Sequence, residues 1–154
     1  MAATIQRAGG ALIPEPDVEG SEMSITFGHV VPILRMLDVG KTREFYIDFL
    51  GFVVDWEHRF EPKLPLYMQI SRSGCVLHLS EHHGDGTPGS RVRVETAGIE
   101  EFHRQLTERD YGYARPGLGR APWGELALAA IDPVGNHIVF YERTANGAVH
   151  SSPS

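Results

Sequence analysis

Residues 75–86 read CVLHLSEHHGDG and set His78, His82 and His83 beside Glu81 and Asp85. Imidazoles and carboxylates at this density have the look of a metal site, and histidines also serve as general acids and bases. The spacing divides the group. Side chains alternate along a strand, so His78 shares a face with Val76 and Ser80, away from Cys75, Leu77 and Leu79. His82 and His83 fall beyond the strand, in HHGDGTPGS, where turn formers dominate and a solvated turn accounts for them. Cys75 is the only cysteine of the chain, so no thiolate-rich zinc site is available. Placed in a strand and expected to be buried, it is a poor candidate for a reactive thiolate.

A second set of candidates is aromatic. In FVVDWEHRF, Val54, Trp56, His58 and Phe60 alternate with Val53, Asp55, Glu57 and Arg59, the pattern of a half-buried strand. Trp56 and Phe60 are then either core or the walls of a cleft for a flat ligand. Trp123, in APWG, follows a loop holding Pro116, Gly117, Gly119 and Pro122, where a core role is harder to assign. Tyr67 offers a ring and a hydroxyl to the same cleft. Asp55 and Glu57 read as solvated carboxylates or as partners of a cationic ligand arm. Arg35 alternates with Ile33 and Val31; it either takes an anion or pairs with a carboxylate. Asp132, Pro133, Gly135 and Asn136 in DPVGN form a tight turn that needs no functional explanation. No glycine-rich phosphate loop stands between a strand and a helix, and no G-x-S-x-G occurs.

These side chains must be positioned by a modest fold. The chain has 154 residues, 42% hydrophobic and 22% charged, which suits one domain or two half-domains sharing a core. Its net charge of −6 disfavours nucleic acid and matches a neutral or cationic small molecule better. No apolar run approaches the roughly 20 residues that span a bilayer, and no stretch has the layout of a signal peptide. The lone cysteine fits a reducing cytoplasm. Residues 1–24 read as a flexible arm, with Met23 a possible natural start, and residues 144–154 as a flexible tail. Between them, HVVPILRML is a strand. Asp38 caps a helix whose stripe is Val39, Phe45, Tyr46, Phe49 and Leu50, and Gly51 ends it. FVVDWEHRF, LYMQIS and CVLHLS are strands. The order then repeats: RVRVE, a helix GIEEFHRQLTERD with Ile99, Phe102 and Leu106 on one side, an irregular strand, ELALAAI and NHIVFYE. One fixed shift sets Gly74 on Gly135, Ile70 on Ile131, Glu81 on Glu142 and His78 on Val139; a slightly shorter one sets Phe45 on Phe102. The shared β-α-β-β-β order indicates an internal duplication.

Together with that order, VPILRMLDVGKTREFYIDFLGF and APWGELALAAIDPVGNHIVFYE resemble the vicinal oxygen chelate superfamily, which includes glyoxalase I, extradiol dioxygenases and bleomycin resistance proteins. The motifs are most similar to the bleomycin resistance branch. The resemblance implies an α+β fold: two tandem β-α-β-β-β modules forming a half-open, cup-shaped mixed sheet. The domain would run over residues 25–143, as modules 25–85 and 86–143. In the metal-using enzymes four positions of the cup hold the ion; carried across, they are Val31, His78, Arg91 (within one residue) and Val139. Only His78 is an ordinary ligand, and about three are needed, so neither a metal nor another cofactor is expected and no catalytic residue is assigned.

The resemblance therefore implies a dimeric binding protein that sequesters a bleomycin-like glycopeptide, or another planar antibiotic or metabolite, without chemistry. The residues expected at the ligand are Trp56, Phe60, Tyr67, His78, Trp123 and Arg35. The expected partners are that small molecule and a second copy of the chain, not nucleic acid or membrane. The rival is a superfamily enzyme of glyoxalase, lyase or dioxygenase type, with His78, His29 and His137 as participants. A regulatory module without a small ligand is the third reading.

Overall fold

The computed structural model describes residues 24–145, so the expected arm before residue 24, with Met23, and the tail beyond residue 145 lie outside the described residues. The chain divides after Val30. Residues 24–30 have no regular structure and are exposed.

From Val31 onward, two four-stranded mixed sheets follow one plan. The first comprises β1 (Ile33–Arg35), β2 (Val53–His58), β3 (Tyr67–Arg72) and β4 (Cys75–Ser80), in the order β1-β4-β3-β2. The second comprises β5 (Arg91–Glu95), β6 (Leu118–Ala121), β7 (Glu125–Ile131) and β8 (His137–Arg143), in the order β5-β8-β7-β6. In each, the first strand runs parallel to the last and the other pairs are antiparallel. The expected α+β architecture of two repeated modules is the one observed.

The helices are also where the periodicity places them. Helix α1 (Val39–Arg43) starts at Asp38, whose side chain accepts from the Lys41 amide at 2.9 Å. It runs on as a π-helical stretch, Glu44–Phe49, that buries Phe45, Tyr46 and Phe49. Its last carbonyls are satisfied from outside: Arg72 donates to Leu50 O at 2.6 Å, and Arg109 donates to Phe49 O. A cation at a helix C-terminus also opposes the helix dipole. Helix α2 (Ile99–Arg109) buries Ile99, Phe102 and Leu106, and Glu142 receives the amides of Gly98 and Ile99.

One core serves both modules. Leu34, Phe45, Tyr46, Met68, Ile70, Leu77 and Leu79 from the first form a single cluster with Ile99, Phe102, Leu128, Ile138 and Phe140 from the second. Each large side chain fully buried there is worth roughly 1.5–3 kcal/mol. The DPVGN turn does more than reverse the chain. Asp132 and Asn136 are buried; Tyr46 donates to Asp132 at 2.7 Å, and Asn136 Nδ2 donates to Asp132 and, at 3.0 Å, to the carbonyl of Arg35. This polar node ties β1 and α1 of the first module to the β7–β8 turn of the second. Burial and the adjacent Asp132 carboxylate push the Tyr46 hydroxyl well above its usual pKa, so it stays a donor.

Two local expectations are corrected. The first strand is shorter than HVVPILRML, with only Ile33–Arg35 in the ladder. The alternation along β2 is broken by a bulge: Val54 pairs with Ile70, but Trp56 pairs with Gln69. The extra residue, Asp55, sends Val54 to the core and Trp56 to the opposite face, so the two do not share a side as strict alternation requires.

Candidate functional site

The five residues of the opening motif have separate fates. His78 lies on β4, opposite Ile33 on one side and Gln69 on the other. Glu81 accepts from the Leu66 amide at 2.8 Å and pairs with Arg59 at 3.7 Å, which anchors the loop before β3. His82 and Asp85 belong to an ordered turn. The Asp85 amide donates to His82 O, and the Ser80 hydroxyl donates to Asp85 Oδ2 at 2.8 Å while accepting from the His82 amide. Gly86 keeps this turn against β1: its φ is +108°, and a Cβ there would lie 2.9 Å from Ile33 O. His83 is exposed. The solvated turn expected for the pair holds for His83 and not for His82.

The turn closes one side of an open cleft of about 330 Å³, lined by Trp56, His58, Phe60, Tyr67, His82 and Asp85. Its floor is the face of the first sheet that points away from the core. Trp56 lies nearly parallel to Tyr67, with centroids 6.0 Å apart and 11° between planes, and meets His78 edge-on at 5.4 Å. Phe60 packs edge-on against His58 at 4.8 Å and His82 at 6.4 Å.

Beneath the aromatics runs a chain of hydrogen bonds whose direction can be assigned. Asp55 is a carboxylate and only accepts; it takes the Gln69 amide nitrogen at 3.0 Å and the Ser71 hydroxyl at 3.0 Å. Gln69 Oε1 is therefore the acceptor facing His78 Nε2, at 2.9 Å, and Nε2 carries the proton. Nδ1 of the neutral ring is left with a lone pair, which takes the Tyr67 hydroxyl at 2.6 Å. Burial lowers the pKa of His78 and favours this neutral form. Burial, and then the charge of Asp85, raise that of Tyr67.

The first sheet thus gathers Trp56, Tyr67 and His78 in one cluster, with Phe60 at its rim. Arg35 lies on β1 opposite Ser80, on the same face, and its Nη1 is buried without a hydrogen-bond partner among the described residues. Trp123 stands elsewhere, in the turn between β6 and β7. It is 61% exposed and is not part of the lining of this cleft. Sequence reading missed Gln69 and saw Asp85 only as a member of the opening cluster; Asp55 is exposed, as a solvated carboxylate should be, and also accepts from Gln69 and Ser71. Cys75 is half-buried, and burial pushes its thiol up, away from the thiolate.

The register shows which residues stand across the ladder from the carried-over positions His78 and Val139. His78 faces Ile33 and Val139 faces Arg93, each two residues further along its strand than Val31 and Arg91. Isoleucine and valine have no donor atom, and a guanidinium repels a divalent cation. Both nitrogens of His78 are already engaged. These residues do not fit that metal.

On the second sheet the corresponding face is occupied by its own side chains. Arg93 donates to both carboxylate oxygens of Glu125 at 2.9 Å and lies 4.0 Å from the centroid of the Tyr141 ring. Burial pulls the Glu125 carboxyl up, but hydrogen bonds from Arg93 and Trp123, with the charges of Arg93 and Arg143, outweigh it and hold the carboxyl below its usual range.

No helix among the described residues is long and apolar enough to cross a membrane. No curated protein matches the sequence. Solved structures do match. A member of the glyoxalase/bleomycin resistance protein/dioxygenase superfamily from Sphaerobacter thermophilus is 22% identical, with a TM-score of 0.58 over 76% of this chain and 98% of that one. A bleomycin-binding protein complexed with bleomycin is 21% identical, at 0.58 over 76% and 99%. TnmS3, an antibiotic binding protein from Streptomyces sp. CB03234, is 20% identical, at 0.59 over 78% and 99%. At these identities the likeness is one of fold. The sequence profile of glyoxalase superfamily proteins, however, matches residues 17–147, nearly the whole chain, and to that superfamily the protein belongs.

Proposed function

We propose that the protein is a binder of the bleomycin resistance kind, which holds a planar antibiotic or metabolite in the cleft of its first sheet and does no chemistry on it. The observation that carries this reading is the near-parallel Trp56–Tyr67 pair, with Trp56 still 43% exposed and its ring at the cleft. A flat aromatic surface left open is what a flat ligand stacks on. Phe60 forms the rim, and His78 acts through Tyr67. The bleomycin-bound and antibiotic-binding relatives agree in fold with this use of the cleft.

A homodimer belongs to the same proposal. Ile33, Val53, Trp123 and Ile131 are all more than 40% exposed, and a second copy would cover such apolar surface. Trp123 would then serve a cleft completed by the partner, and Arg35 would meet the ligand or the second chain. A cytoplasmic site of action is supported by the single cysteine. Sedimentation at micromolar concentration tests the pairing, and a strict monomer would count against it.

The test of function is calorimetric titration with metal-free and copper-loaded bleomycin, followed by recovery of the drug. Saturable binding at micromolar Kd or tighter, about −8 kcal/mol or better, with the drug returned unaltered, is the expected result. A chemically changed ligand, with the change lost in His78→Ala, would instead establish the enzyme.

A further inference from the structure

Resting on that reading of the cleft, we infer that His78 sets the polarity of the site: by holding the Tyr67 proton it turns the phenol oxygen toward the ligand as an acceptor, so that Tyr67 and Asp85 together select flat aromatic cations bearing N–H groups. The argument begins at Asp55. A carboxylate can only accept, so every bond above it has one direction: Gln69 to Asp55, His78 to Gln69, Tyr67 to His78. The Tyr67 hydroxyl has one proton, and it is spent on His78 at 2.6 Å. What remains for a ligand is the lone-pair side of the oxygen.

The second polar group of fixed character in the cleft is Asp85. Ser80 holds one of its oxygens at 2.8 Å, and the tight approach of Gly86 to Ile33 keeps the turn in place. Its carboxylate is close enough to Tyr67 to act on it electrostatically. The imidazoles of His58 and His82 present either a donor or an acceptor, so they do not set the polarity. Both groups that do set it are acceptors, and one is an anion. The aromatic faces of Trp56 and Phe60 favour a cation as well, through the negative face of each ring. A ligand that displaces water from these acceptors without offering donors leaves them unpaired, which is costly and makes it a poor occupant. His78 is accordingly a positioning residue, and the ligand class is a planar amine, amidine or aminoheterocycle in its protonated form.

The test uses two probes of one three-ring shape, an aminoacridinium cation and an anthracene carboxylate, titrated calorimetrically into the full chain at about pH 8. The cation is expected to bind at least about tenfold more tightly. Asp85→Asn should abolish most of that preference. Tyr67→Phe should weaken the cation and leave the anion unchanged. His78→Leu should move the probes in opposite directions, weakening the cation and strengthening the anion, because the freed Tyr67 proton becomes a donor. A merely structural role for His78 would weaken both alike, and Tyr67→Phe, which removes only an oxygen, keeps the test valid if His78→Leu folds poorly. Equal affinities for the two probes, or preference for the anion, would overturn the inference and leave a cleft for planar ligands standing. Binding of bleomycin with neither probe bound would also overturn it. Failure of all three ligands would remove the binding function itself.

Discussion

On the first sheet, the strand positions that face away from the core carry Ile33, Tyr67, Gln69 and His78; at the matching positions of the second sheet stand Arg93, Ala127, Ala129 and Val139. The ladders are the same and the outcome is opposite. Where the first sheet has three side chains that hydrogen-bond one another and support an open aromatic wall, the second has two alanines and a valine. Over that low floor Arg93 extends across Tyr141 to Glu125. The second face satisfies itself with an ion pair and a cation–π contact. The first pairs Tyr67, His78 and Gln69 with one another, leaves Arg35 Nη1 without a partner among the described residues, and leaves ring surface uncovered. Two modules of one strand plan thus present different outward faces, one closed on itself and one left open.

The largest expected effect breaks both faces at once, because they rest on one core. Asp132→Ala strips the partner from the Tyr46 hydroxyl and from Asn136, and should cost about 3 kcal/mol, read as a lower urea midpoint. If stability fell by much less, the node would not be what joins the modules. Gly86→Ala should act on the first face alone. Its positive φ and the close approach to Ile33 O predict a loss of about 1–2 kcal/mol, with weaker ligand binding as Asp85 shifts. Hydrogen exchange that slowed or quickened equally on both sheets would contradict that localisation.

Acid separates the faces more finely. His78 is held neutral by burial, so its folded pKa lies below the ordinary 6.5. Its contribution to stability is full above 6.5 and is lost as pH falls through the lowered folded value. Glu125 also has a depressed folded pKa, so its contribution is full above about 4.5 and disappears on further acidification. Lowering the pH should therefore loosen the first face before the second. Imidazole and carboxylate resonances followed by NMR would show the order, and a His78 that titrates above 6.5 would break it.

Much of this was legible in the sequence because apolar periodicity reports burial directly. The stripes Phe45, Tyr46, Phe49, Leu50 and Ile99, Phe102, Leu106 are all core, and strict alternation placed His78 correctly with Val76 and Ser80. Hydrogen-bond partners were not legible, since they depend on cross-strand register. Gln69 meets His78 through the β3–β4 register, and Asp55 meets Gln69 and Ser71 because a bulge turns Asp55 and Trp56 to the same side. Nothing in FVVDWEHRF announces that bulge. The DPVGN turn was recognised as a turn, but its clamp on Arg35 O joins residues far apart in the chain and carries no local signal.

Both tryptophans of the chain bear on the central claim, Trp56 at the cleft of the first sheet and Trp123 on the second. In Trp123→Phe, Trp56 is the sole indole, and its fluorescence reports on the cleft directly. Titration of this variant with metal-free bleomycin and with the aminoacridinium cation should quench Trp56 saturably for at least one of them, at the midpoint given by calorimetry. Saturable heat with an unchanged Trp56 spectrum would contradict the account, because the ligand would then lie somewhere other than the open face of the first sheet.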